Sequence, residues 1–154
     1  MAVAVFALLI GIVAGLRAMT PLAAVSLASW LGWLPLAGTW AAFMSHWIAA
    51  AIFTVAAIAE LISDQLPSTP SRKVPVQFGT RLVTGALSGA ALGVVSGSTI
   101  VGLIAGVIGA VIGTYGGAAL RGRLAAAFGR DLPAALIEDV IALALAFWIV
   151  TAAA

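Results

Sequence analysis

The sequence predicts an all-α, polytopic membrane helix bundle of about six transmembrane or half-membrane helices, and three observations predict it. Of the 154 residues, 64% are hydrophobic and only 8% are charged, against about 25% charged in an ordinary soluble domain. The mean hydropathy is +1.23. All seven cationic side chains, Arg17, Arg72, Lys73, Arg81, Arg121, Arg123 and Arg130, fall in or beside three segments that separate long apolar runs. When those runs span a membrane, every positive charge lands on one face, which is the excess of Lys and Arg that cytoplasmic loops carry.

Crossing about 30 Å of hydrocarbon takes roughly 20 helical residues. Six runs approach that length, at about 2–19, 21–35, 41–63, 79–96, 99–121 and 133–153. The first resembles the apolar part of a signal peptide, yet it lacks a cationic n-region and a small-residue cleavage site before soluble sequence. It is therefore taken as part of one mature integral membrane domain covering 1–154.

The second run is short and ends at Pro35. It forms its own span, pairs with the first as a re-entrant hairpin, or continues the first as one helix broken at Thr20-Pro21. Thr20 before Pro21 reads as an N-cap with proline at the first helical position, and Thr80, Ser98 and Asp131 are placed for the same capping role. The polar stretch 64–78, with three of the six prolines, joins halves of about 1–63 and 79–154. Trp30, Trp33, Trp40 and Trp148 fall at the helix ends opposite the cations, where amphipathic rings prefer the headgroup level. Both termini then share that face.

Gly85, Gly89, Gly93 and Gly97 recur every four residues along the fourth span; the fifth carries Gly102 and Gly106 on one stripe and Gly109, Gly113 and Gly117 on another. Small residues at this spacing let backbones approach closely, so the fourth and fifth spans are expected to form a tight, glycine-zipper hairpin. A glycine-lined groove or pore is the other reading. Gly15-Leu16-Arg17-Ala18-Met19-Thr20 and Gly79-Thr80-Arg81-Leu82-Val83-Thr84 share G-x-R-x-x-T, which reads as an internal repeat of the kind transporters contain.

Few charges are available for chemistry. Glu60 lies one turn inside the third span, with Asp64 following at i+4. Glu138 and Asp139 sit about 8 Å along the sixth span from Pro133. A charge at such depth needs protein, water or a counter-charge beside it, at roughly 2.5–3.5 kcal/mol on insertion scales. Arg17 and Arg81 share that side and are the natural partners. Ion pairs that set helix register, a carboxylate coupling a proton or cation, and contact with a headgroup or solute are all open for Glu60 and Glu138. The arginines either snorkel and set topology or bind an anionic group. The candidate binding or coupling residues are thus Arg17, Glu60, Asp64, Arg81, Glu138 and Asp139.

With no cysteine the chain has no disulfide, thiolate metal site or thiol nucleophile. His46 is the only histidine and has no acidic neighbour to make a metal site. Ser26, Ser29, Ser88 and Ser96 lie within helices without an adjacent base, and Tyr115 reads as packing. No metal, cofactor or enzymatic activity is expected, and the net charge of +2 on an apolar body speaks of topology and lipid contact rather than nucleic acid.

The segments GLRAMTPLA at 15–23 and AELISDQLPSTPSRKVP at 59–75 resemble those of a family of small bacterial integral membrane proteins classed as a domain of unknown function. The resemblance covers most of the chain, and E-x-x-x-D-x-x-P-x-x-P-x-R, Glu60 to Arg72, is its most specific part. It implies a bacterial inner-membrane location and a role for 60–72 beyond that of a linker, and it brings no activity with it. The function expected is transport, conduction or binding of a small solute, ion or lipid. The alternative is a non-transporting scaffold or lipid-organising component. Membrane lipids and further copies of the same chain are the expected partners, because six short glycine-rich helices enclose little interior alone.

Overall fold

Apolar residues at helical spacing, interrupted by proline mainly at boundaries, leave no run suited to strand pairing. The computed structural model describes residues 1–154 and contains six α-helices and no strand. They are α1 (Ala2–Leu16), α2 (Thr20–Trp30), α3 (Trp47–Ser63), α4 (Pro75–Val95), α5 (Thr99–Phe128) and α6 (Asp131–Ala152), with a 3₁₀ turn at Ala42–Ser45. Helices α4, α5 and α6, of 21, 30 and 22 residues, are long and apolar enough to cross a membrane, and the chain is a membrane protein on that ground. Helices α1 and α3 are apolar but shorter, at 15 and 17 residues, or about 22 and 25 Å at 1.5 Å per residue.

Several boundaries differ from those expected. The second helix stops at Trp30, because Gly32 and Gly38 adopt φ of +80° and turn the chain through irregular backbone to the 3₁₀ turn. The third helix starts at Trp47 rather than 41, with His46 as its N-cap. The His46 ring nitrogen Nδ1 accepts a hydrogen bond from the Ile48 N–H at 3.3 Å. Pro75 opens α4, where its missing N–H is harmless, so the connecting loop shortens to 64–74. Thr80 lies inside α4 and bonds the Val76 carbonyl instead of capping. Ser98 occupies the N-cap of α5 without a side-chain bond, and Asp131 is the first residue of α6 rather than its cap. Helix α5 runs on to Phe128 and ends at Gly129, whose φ of +71° suits a left-handed C-cap.

Glycine contacts set the packing. An added Cβ at Gly89 would lie on the Gly102 carbonyl, and one at Gly85 would lie 2.8 Å from the Gly106 oxygen, so α4 and α5 run antiparallel in backbone contact. Gly109 and Gly113 face Leu8 and Ile12, while Gly11 and Gly15 face Gly106 and Thr114. Helix α1 therefore lies parallel to α5 as a third member of this tight unit. Gly97 stands apart: its φ is +72°, nothing lies within 4 Å of a Cβ there, and it turns the chain between α4 and α5 instead of packing.

Helices α2 and α3 form an antiparallel pair, joined by Ser29 Oγ to Ser45 Oγ at 2.6 Å near one end and by Glu60 to the Met19 N–H at 2.8 Å near the other. Helix α6 lies against α1, with Trp148 edge-on to Phe6 at 6.1 Å, and against the turn that follows α2, through Phe147 and Trp33 at 6.4 Å. Val3 lines the same recess as Ala152 and Ala153, so the two termini share an end. That end carries the half-exposed Trp30, Trp33, Trp40 and Trp148. The shared motif G-x-R-x-x-T does not occupy equivalent places: Arg17 caps α1 where the helix breaks off, whereas Arg81 lies within the continuous α4.

Candidate functional site

A proline's ring clashes with the carbonyl four residues earlier, and four residues before Pro21 stands Arg17. There the backbone leaves the helix, with Arg17 extended at φ −140° and ψ 116°, and α2 begins three residues on. Two helix ends are thereby exposed inside the bundle, one with unpaired carbonyls and one with unpaired N–H groups.

Both ends are met by charged side chains from other helices. Arg81 of α4 donates through Nη1 to the Gly15 carbonyl at 2.9 Å and to that of Ala14 at 3.5 Å, placing positive charge at the C-terminus of α1. Glu60 of α3 accepts from the Ala18 N–H at 2.7 Å and the Met19 N–H at 2.8 Å, placing negative charge at the N-terminus of α2. Glu60 and Arg81 face each other at 3.9 Å.

Arg17 is fully buried at 0% exposure. Its Nε donates to Asp139 Oδ1 at 2.6 Å and its Nη2 also meets Asp139. Its Nη1 reaches Asp64 at 3.0 Å, Glu138 at 3.3 Å and the Leu16 carbonyl at 3.0 Å. A buried guanidinium is tolerable only with its fork so occupied.

Glu138 is held by the second arginine fork, from Arg72, with Nη1 to Oε1 at 2.5 Å and Nη2 to Oε2 at 2.9 Å. Gly117 makes room for this pair, since a Cβ there would lie 2.9 Å from Arg72 Nη1. Arg121 adds a contact to Glu138 at 3.4 Å, pairs with Asp131 through Nε and Nη2 at 2.9 and 2.5 Å, and donates to the Asp64 carbonyl at 3.0 Å. Gln65 donates to the remaining oxygen of Asp139 at 3.2 Å.

All five acidic residues of the chain thus gather at one end with four arginines. The six residues singled out from sequence, Arg17, Glu60, Asp64, Arg81, Glu138 and Asp139, all lie in this network. Sequence reasoning gave no place in this network to Arg121 or Gln65, and read Asp131 as a cap, Gly117 as packing and Arg72 only as the end of the 60–72 motif. A signal for the arginines existed: buried carboxylates outnumbered the two arginines assigned to them, so further cations had to reach in. Lys73 stays outside, its Nζ 5.6 Å over the Tyr115 ring, which also packs edge-on against Phe78.

The network opens on a polar cavity of about 430 Å³ between the 64–72 loop, α4 and α5, lined by Asp64, Arg72, Arg81, Arg121 and Asp131 among others. A second recess of about 320 Å³, almost wholly apolar, lies between α2, α3 and α6. No three His, Asp or Glu side chains gather closely enough to hold a metal ion. Set against protein-family models, curated proteins and solved structures, the chain matches none of them.

Proposed function

We propose that the chain is a multi-pass protein of the bacterial inner membrane, its charged end cytoplasmic, that binds and moves a small charged solute or ion. The observation that carries this reading is the Arg17–Met19 break, where two helix ends meet Arg81 and Glu60 inside the bundle beside a polar cavity of about 430 Å³. Discontinuous helices whose ends face charges at a cavity are an arrangement transporters use to hold ions and substrates. The likeness of 15–23 and 59–75 to a small bacterial membrane family adds to it, because those two segments supply Arg17, Glu60, Asp64 and Arg72. Membrane lipids and further copies of the chain are its partners in this reading, and the close glycine contacts among α1, α4 and α5 act as a zipper that keeps the site rigid.

A scaffolding or lipid-organising role is the second reading, and the close packing of the interior favours it. Between the cavity and the tryptophan-bearing end, Ile10, Val13, Val25 and Ile149 are fully buried, and α1, α4 and α5 meet in close backbone contact. For a transporter this seal is the closed half of an alternating cycle; for a scaffold it is permanent. Purified protein in liposomes, challenged with small organic acids, amino acids, inorganic anions and monovalent cations, separates the two. Flux of one of these that disappears in Glu60→Gln supports transport. No flux of any kind, with lipid order or protein assembly altered instead, leaves the scaffold.

A further inference from the structure

The four arginines at and beside the proposed solute site set its chemical preference. Arg17, Arg72 and Arg121 each hold a carboxylate at 3.0 Å or less. Arg81 does not. Its nearest carboxylate oxygen, on Glu60, is 3.9 Å away, and both Glu60 oxygens are already occupied by the Ala18 and Met19 N–H groups. Arg81 is 2% exposed, lines the polar cavity, and its Nε has no hydrogen-bond partner. Leaving a buried charged donor unpaired is among the more expensive features a fold can carry.

The two carboxylates that line the same cavity are not free to receive a cation. Asp64 is held by Arg17 at 3.0 Å and Asp131 by Arg121 at 2.5 Å. Three arginines, Arg72, Arg81 and Arg121, line the cavity against these two carboxylates, so the charge in excess at its wall is positive. We propose that the cavity binds a small oxyanion, a phosphate or carboxylate group, with Arg81 as its anchor and the outer edges of Arg72 and Arg121 as secondary donors. A planar guanidinium matches such oxygens geometrically as well as electrically. At about 30 Å³ per water, a cavity of this size accommodates a group of that kind together with its residual hydration. This inference rests on the solute-binding reading above and names the class of ligand.

The test is binding to the purified full chain, with inorganic phosphate and succinate as probes at constant ionic strength. Saturable thermal stabilisation by either probe is the expected result. Affinity should fall roughly tenfold or more in Arg81→Gln and by an intermediate factor in Arg81→Lys, which keeps the charge but loses the fork. Because Arg81 also holds the end of α1, Ala118→Phe provides a second variant that fills the cavity and removes no charge; it should weaken both probes equally. Nanodiscs of phosphatidylglycerol and of phosphatidylcholine distinguish the sources of the group. Loss of the phosphate response only in phosphatidylglycerol assigns the site to a lipid headgroup, and a response in both assigns it to a free anion. No response of the wild type, or a response in Arg81→Gln and Ala118→Phe as strong as that of the wild type, overturns the inference. If sodium, potassium or an amine binds in its place and Ala118→Phe abolishes that binding, the solute site stands and only its sign is wrong. If nothing tested binds, both readings fall.

Discussion

Glu60 accepts hydrogen bonds from the backbone N–H groups of Ala18 and Met19 at 2.7 and 2.8 Å, so a carboxylate 41 to 42 residues away closes the N-terminus of α2. A capping side chain normally comes from the residue preceding its own helix. Here Met19 offers no such group, and a neighbouring helix supplies one with a full charge.

Glu60→Gln keeps one acceptor oxygen for two N–H groups and removes the negative charge facing Arg81. Stability in detergent should fall by about 1–3 kcal/mol, and Glu60→Ala should fall further. Chemical denaturation of both variants checks this. Equal stability of wild type and Glu60→Ala would show that the bonds to Ala18 and Met19 are not held in solution.

Arg17 is buried against Asp64, Glu138 and Asp139. Arg17→Gln leaves these carboxylates short of a counter-charge and should cost about 3–5 kcal/mol, the range for breaking a buried ion pair. Asp139→Asn should relieve part of that loss in the double variant, giving a coupling of about 0.5–3 kcal/mol in a double-mutant cycle. Strict additivity would show that the two residues do not interact.

Gly106 and Gly116 make a paired test of the glycine contacts, since both lie in α5. A Cβ at Gly106 would overlap the Gly85 carbonyl, whereas nothing lies within 4 Å of one at Gly116. Gly106→Ala should reduce folded protein sharply. Gly116→Ala should be neutral or stabilising by up to about 1 kcal/mol through helix propensity. Identical behaviour of the two would mean that α4 and α5 are not in backbone contact.

Ser71 and Ala37 are exposed at opposite ends of the bundle. In this cysteine-free chain, Ser71→Cys should react with an impermeant thiol reagent only from the cytoplasmic side and Ala37→Cys only from the other. Ala37 is preferable to Gly38, whose φ of +80° disfavours a side chain. Labelling of both from one side would exclude the six-span arrangement.

The apolar composition, the glycine spacing, Pro21 and the one-sided cations are local properties, and they determined a helical bundle with its charges at one end. Helix propensity and hydrophobic run length need no knowledge of neighbours, so six helices were legible in the linear sequence, though their ends were less so. The second span's apolar run to Pro35 concealed a stop at Trp30 that only Gly32 and the irregular backbone beyond it enforce. What the tertiary structure decided was partnership. Gly11 and Gly15 bring α1 against α5, and Gly97 leaves the packing stripe for a turn. Arg17 finds Asp139 across 122 residues, Glu138 takes Arg72 from the polar loop, and Glu60 binds backbone while Arg81 keeps an unpaired nitrogen. Such choices depend on the rotation and depth at which separate helices meet, to within a few tenths of an ångström for a charged hydrogen bond, and no local pattern encodes that register.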